Sequence, residues 1–139
     1  MIPGVSANFL AVFAAAIVSM VVGFLWYSPM LFGNEWMKLL GIKMKDAKGM
    51  KEKAMKGYAI TFVASIVMAS VLAYVLKYAQ ASSVLDGLMT AFWLWLGFVV
   101  TVKIGMVLWE GKPFKLFLLD TGYYLVSLLA MGAVLGAMG

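Results

Sequence analysis

Cysteine and histidine are both absent from the 139 residues. Without cysteine there is no disulfide, no thiol chemistry and no thiolate metal site. Without histidine the commonest general base and the commonest zinc or haem ligand are gone. Arginine is absent too, so all 11 basic residues are lysines. Phosphate recognition favours the rigid arginine fork, and nucleic acid is not an expected partner. Charged residues make up only 12% of the chain, where soluble domains carry about a quarter.

What is present in excess is apolar side chain, at 65% of residues with a mean hydropathy of +1.00. So few charges cannot cover that much apolar surface in water, and the solvent that fits is the lipid bilayer. Four stretches are long enough to cross it, a crossing taking about 20 residues. They run over 6–32, 58–76, 84–109 and 114–138. In hydrocarbon every backbone polar group must be satisfied internally, so the spans are expected to be helices. The expected fold is all-α: a polytopic membrane protein whose residues 1–139 form a single transmembrane domain, a four-helix bundle. The first stretch lacks a basic n-region and is too long for a signal-peptide core. It reads as retained, and Pro29 should kink or end its helix.

The polar segment 33–57 carries seven lysines, Lys38, Lys43, Lys45, Lys48, Lys51, Lys53 and Lys56, against Glu35, Asp46 and Glu52. The third loop adds Lys112 and Lys115, and the second has only Lys77. The positive-inside rule then puts the first and third loops in the cytoplasm and both termini outside. Within the basic loop, Trp36, Met37, Leu39, Leu40, Ile42 and Met44 are interspersed with lysines. A short interfacial helix would bury those groups while the lysines snorkel to anionic headgroups. A plain solvated loop carrying the topology signal is the alternative.

Lys103 and Asp120 lie inside spans, and an intramembrane ionisable group is a functional hypothesis by default. Each sits roughly 10 Å from the tight turn Gly111-Lys112-Pro113, at 1.5 Å per residue. Antiparallel neighbours would therefore carry the two groups at one depth, and an ion pair is expected, direct or through water. Tyr123, Tyr124 and Ser127 share the helical face of Asp120, and Glu110 follows Lys103 by two turns. Tyr27, Ser28, Tyr58 and Thr61 belong to the same half of the membrane in this topology. All four helices thus offer polar groups at one level, which predicts a buried network or a shallow cytoplasm-facing cavity. A structural pair that fixes hairpin register competes with an ion, proton or ligand role.

Small residues recur every four positions: Ala15, Ser19 and Gly23; Ser65, Ala69 and Ala73; Gly97, Thr101 and Gly105; Gly132 and Gly136. Such faces let helices approach closely in lipid. They suit packing within the bundle, with one face to spare for a homodimer. Met37, Met44, Met50 and Met55 lack the repeated spacing of a copper box, so the methionines read as apolar packing. Trp26, Trp36, Trp93, Trp95 and Trp109 read as interfacial belts. Gly57-Tyr58 and Gly122-Tyr123 echo one another too weakly to establish a duplication. With no phosphate loop, zinc motif or nucleophile–base pair, neither a cofactor nor an enzymatic activity is expected.

The run Gly23-Phe24-Leu25-Trp26-Tyr27-Ser28-Pro29, then Leu31-Phe32-Gly33 and Trp36, resembles the first-helix signature of the domain-of-unknown-function family 1761. Trp95-Leu96-Gly97-Phe98 is similar to that family's third helix. Glu110-Gly111-Lys112-Pro113, Leu119-Asp120-Thr121-Gly122-Tyr123 and Met131-Gly132-Ala133 resemble its C-terminal half. The resemblance implies small four-helix proteins of a prokaryotic cell (inner) membrane, and supplies no activity.

The functional expectation is a non-enzymatic homo-oligomer whose polar site handles an ion, proton or small solute, as a transporter or channel would. The site residues are Lys103, Asp120, Tyr123, Tyr124, Ser127, Glu110, Tyr27 and Ser28. The alternative is an accessory membrane subunit that binds a partner protein or anionic lipid through its basic loop.

Overall fold

In the computed structural model, which describes residues 8–40 and 47–138, all regular structure is helical. The expected span start at Ser6 and the loop residues Ile42, Lys43, Met44, Lys45 and Asp46 lie outside the described residues, as do the side chains of 47–54. Helix α1 covers Phe9–Trp26. Its first turn is capped by Asn8, whose side-chain oxygen accepts from the amides of Leu10 and Ala11 at 3.1 and 3.3 Å, filling donors that a helix start leaves open. Helix α2 covers Gly33–Leu40 and α3 covers Ala47–Tyr78. Much of the segment that composition marks as a loop is therefore helical. The third span, α4, runs over Val84–Leu108 and the fourth, α5, over Phe114–Met138.

Four helices, with α3 counted from Met55, are long and apolar enough to cross a membrane. Their faces are sorted as lipid demands. Phe9, Phe13, Ile17 and Val21 on α1 and Ile60, Val63, Val67 and Val71 on α3 point outward and exposed. Ala11, Ala15 and Ser19, and Ser65, Ala69 and Ala73, are buried between helices. Large groups meet hydrocarbon while small ones let backbones close.

Helices α1 and α5 form the centre: α1 packs on α3 and α5, and α5 packs on α1 and α4. Close approach of α4 to α5 depends on two glycines. A Cβ on Gly87 would strike the Gly132 carbonyl, and one on Gly132 would strike the Gly87 carbonyl. The α3–α4 turn ends in a reciprocal cap: the Asp86 amide donates to Ser83 Oγ and the Ser82 amide to Asp86 Oδ2, each at 3.2 Å. Ser83 is thus the N-cap of α4, and Asp86 sits in its first turn with the carboxylate engaged by the Ser82 amide. At the other hairpin, Gly111 takes φ +68°, a left-handed conformation that costs glycine little.

The second half of α4 departs from a regular helix. After Val84–Leu94 the backbone widens to a π-helix over Trp95–Val100. It returns to α at Thr101–Lys103, turns at Ile104 and finishes with Gly105–Leu108. A π turn takes in one extra residue, so the residues beyond it are rotated by about 100° relative to a straight helix.

The two ends of the bundle differ. Asn8 Nδ2 donates to the Met138 carbonyl at 3.1 Å, joining the start of α1 to the end of α5. The dry core sits on that side: Ala11, Ala15, Ala69, Leu72, Ala73, Leu76, Ala91, Leu128, Met131 and Leu135. At the other end, Lys115 at the start of α5 forms an ion pair with Glu35 of α2.

Candidate functional site

The site begins where α1 stops. The Tyr27 amide still donates to the Gly23 carbonyl at 3.1 Å, and Ser28 Oγ donates to the Leu25 carbonyl at 2.7 Å. Pro29 then supplies no amide hydrogen and the chain folds back. The Phe32 amide reaches the Trp26 carbonyl at 3.0 Å and the Gly33 amide reaches that of Ser28 at 2.8 Å. A Cβ at Gly33 would strike the Tyr27 carbonyl. The Trp-Tyr-Ser-Pro run and the later Phe-Gly thus form one tight turn, and α2 starts immediately after it.

That turn aims two side chains at α5. Trp26 Nε1 donates to the Leu119 carbonyl at 3.0 Å, and the Tyr27 hydroxyl donates to Asp120 Oδ1 at 2.7 Å. Gly122 leaves room for the Trp26 indole, 3.2 Å from where a Cβ would stand. From the other flank, Trp95 Nε1 donates to the Thr121 carbonyl at 2.8 Å. The segment Leu119-Asp120-Thr121 is therefore gripped from both sides. Trp26 and Trp95, expected in interfacial belts, are half-buried and each clamp a carbonyl of α5, while Trp93 and Trp109 are exposed.

Below this grip the loop-end half of the bundle forms an open cavity of about 470 Å³. All four spans and α2 contribute to its lining, through Tyr27, Trp36, Tyr58, Lys103, Asp120 and Tyr124 among others. One wall is a row of aromatic rings. Trp36 lies 5.1 Å from Tyr27, Tyr27 5.3 Å from Tyr123, and Tyr123 4.9 Å from Tyr124, centroid to centroid. Lys103 Nζ ends the row, 5.5 Å from the Tyr124 centroid, a cation–π distance. On the side of the dry core, Ser19 and Ser127 share a buried hydrogen bond of 2.7 Å, and Ser65 Oγ meets Met20 Sδ at 3.8 Å.

Lys103, Asp120, Tyr123, Tyr124, Ser127 and Tyr27 all line this one space, together with Tyr58 and Thr61. Of the Lys103–Asp120 ion pair expected from their matched depth, direct or through water, the direct form is not made. The carboxylate is held by Tyr27 and the ammonium lies on Tyr124. The π segment and the turn at Ile104 divert Lys103 from the position a regular helix would give it. Glu110 does not join the site. Helix α4 ends at Leu108, and Glu110 stands exposed beyond it. Ser28 is also absent from the lining, since its hydroxyl closes the end of α1. The sequence marks Ser19 and Ser65 only as small packing residues, and Trp36 as an interfacial aromatic of the basic segment and of the family signature, not as a site residue. Nothing in a single sequence separates a small residue that packs from one that hydrogen-bonds across helices.

Chemically the cavity offers one carboxylate and one ammonium on separate supports, with hydroxyls and ring faces between them. Among the described residues no group of three acidic side chains could hold a metal ion. Its volume falls in the range of small-molecule sites, about 300–1,000 Å³.

Four helices long and apolar enough to cross a membrane mark a multi-pass membrane protein. The chain belongs to the family described as "Protein of unknown function (DUF1761)", whose model matches residues 10–136. No curated protein and no solved structure matches it.

Proposed function

We propose that this protein is a non-enzymatic membrane protein that binds an ion or small solute in its intramembrane cavity and conducts it across a prokaryotic cell membrane. One observation carries the reading. About 470 Å³ lies open among all four spans, and the two intramembrane charges that line it form no direct ion pair. A purely structural pair would close on itself, because leaving buried charges apart forfeits the attraction that offsets their desolvation. Asp120 is the cation-contacting group, Lys103 its counter-charge, and Tyr27, Tyr123, Tyr124 and Ser127 the lining.

The lysine-rich end faces the cytoplasm and both termini face outside, on the strength of lysine placement. Helix α2 lies along the inner headgroups. A single four-helix bundle is thin for a complete pathway, so the working unit is a homo-oligomer. Gly97 and Thr101 of the third span's small-residue stripe favour this, because both are exposed and a Cβ added at Gly97 would touch none of the described residues.

Flux into proteoliposomes of protons, potassium and small solutes, with Asp120→Asn as control, tests the reading. Wild type should exceed the variant and empty vesicles. Equal flux in all three removes the proposal.

A second reading, contact with anionic lipid, is favoured by the exposure of Lys38, Lys112 and Lys115 at one end. Flotation with phosphatidylglycerol nanodiscs, before and after lysine neutralisation, distinguishes it, since a site role for the cavity predicts no change.

A further inference from the structure

The cavity's contents restrict what can occupy it. Calcium or magnesium wants six or more oxygen ligands, and among the described residues the only carboxylate lining the cavity is Asp120. An anion drawn to Lys103 would share the space with that carboxylate. Proton relay alone needs a chain of groups and not 470 Å³, more than ten times the roughly 30 Å³ occupied by one water. A neutral polar solute would leave two opposite charges unanswered in a half-buried setting, which is costly.

The arrangement that uses every part is a ligand with two unlike charges. Its positive end would meet Asp120, where among the described residues only Oδ1 is engaged by a protein donor, from Tyr27. Beside that carboxylate stand the rings of Tyr27, Tyr123 and Tyr124, and aromatic faces attract ammonium groups. Its negative end would take Lys103, whose ammonium rests on the Tyr124 ring. The two charges stand on different helices, α4 and α5, and line one cavity without a direct ion pair, so the ligand would bridge them.

We propose that the cavity binds a small organic zwitterion, a compound in which a short linker joins an ammonium and a carboxylate. This rests on the solute-binding reading above and names its substrate class. The ammonium docks on Asp120 and the tyrosine rings, and the carboxylate draws Lys103 away from Tyr124.

Equilibrium dialysis on the full chain in nanodiscs tests it with matched series. The zwitterions are glycine, 4-aminobutyrate and 6-aminohexanoate; each is compared with the amine and the acid of the same length. At least one zwitterion should bind about tenfold tighter than both its analogues, the effect of one charge-assisted contact. Lys103→Met should abolish the advantage over the amine, and Asp120→Asn the advantage over the acid. Tyr124→Leu, which leaves both charges in place, should weaken zwitterion and amine alike. If no zwitterion outbinds its analogues in wild type, the inference fails whatever the variants do. Should Asp120-dependent flux of protons or potassium persist in that case, the broader reading stands without it. With neither binding nor flux, both are overturned.

Discussion

Tyr27 donates its hydroxyl hydrogen to Asp120 across 2.7 Å, and so ties the turn after the first span to the last helix. The bond joins residues 93 apart in sequence. It also accounts for how a carboxylate is held inside a bundle without a cation on it. A phenol is a weaker partner than lysine, but it leaves Asp120 Oδ2 available and does not fill the cavity.

If that bond couples the two residues, Tyr27→Phe should destabilise the protein by about 2 kcal/mol, as for a hydrogen bond to a charged group. Thermal or denaturant unfolding in micelles measures it. In a cycle with Asp120→Asn the double variant should lose less than the sum of the singles. Strict additivity would mean that the bond does not form.

Lys103→Met distinguishes the observed geometry from a buried ion pair. Breaking such a pair from one side costs about 3–5 kcal/mol. A cation resting on Tyr124 predicts about 1 kcal/mol or less. A large drop in unfolding temperature would restore the ion pair and undermine the zwitterion site.

The small-residue stripes should respond oppositely to added bulk. Gly87→Ala or Gly132→Ala forces α4 and α5 apart and should cost about 1–3 kcal/mol, the usual penalty for overpacking. Gly97→Ala meets none of the described residues and should be within about 0.5 kcal/mol of wild type. If Gly97→Ala instead dissociates an oligomer in cross-linking or light scattering, the stripe is an interface between copies.

Because the chain has no cysteine, single substitutions report sidedness without background. Lys38→Cys and Lys112→Cys should resist a membrane-impermeant maleimide in intact cells and react after permeabilisation. Met138→Cys should react in intact cells. The reverse pattern would invert the proposed orientation and put the cavity's nearer end outside.

How far the site is legible in the sequence depends on which physical signal each residue carries. Asp120 and Lys103 stand out because charge is rare in a span, and Tyr123, Tyr124 and Ser127 follow from helical spacing on α5. Tyr27 enters through the assumed topology and the family signature, neither of which pairs it with Asp120, yet it takes the direct contact expected of Lys103. Spacing fixes a residue's angle only while the helix stays regular. The π segment at Trp95–Val100 breaks that rule in α4, and the end of the helix at Leu108 removes Glu110 from the site. Trp26 and Trp95 mislead for a different reason. A tryptophan near a span end suits an interfacial belt and an internal clamp equally well until the acceptor carbonyl is known.

Composition and hydropathy alone determined that this chain lives in lipid as four helices, because excess apolar surface and an unsatisfied backbone leave no other solution. Local spacing alone singled out the face of α5 that carries the polar groups. Which partner each of those groups takes was decided only by tertiary structure. Contacts such as Tyr27 with Asp120, Lys103 with Tyr124 and Ser19 with Ser127 depend on how helices distant in sequence rotate and splay. For α4 those angles are set by packing at Gly87 and Gly132 and by the widened turn at Trp95–Val100, which no periodicity encodes.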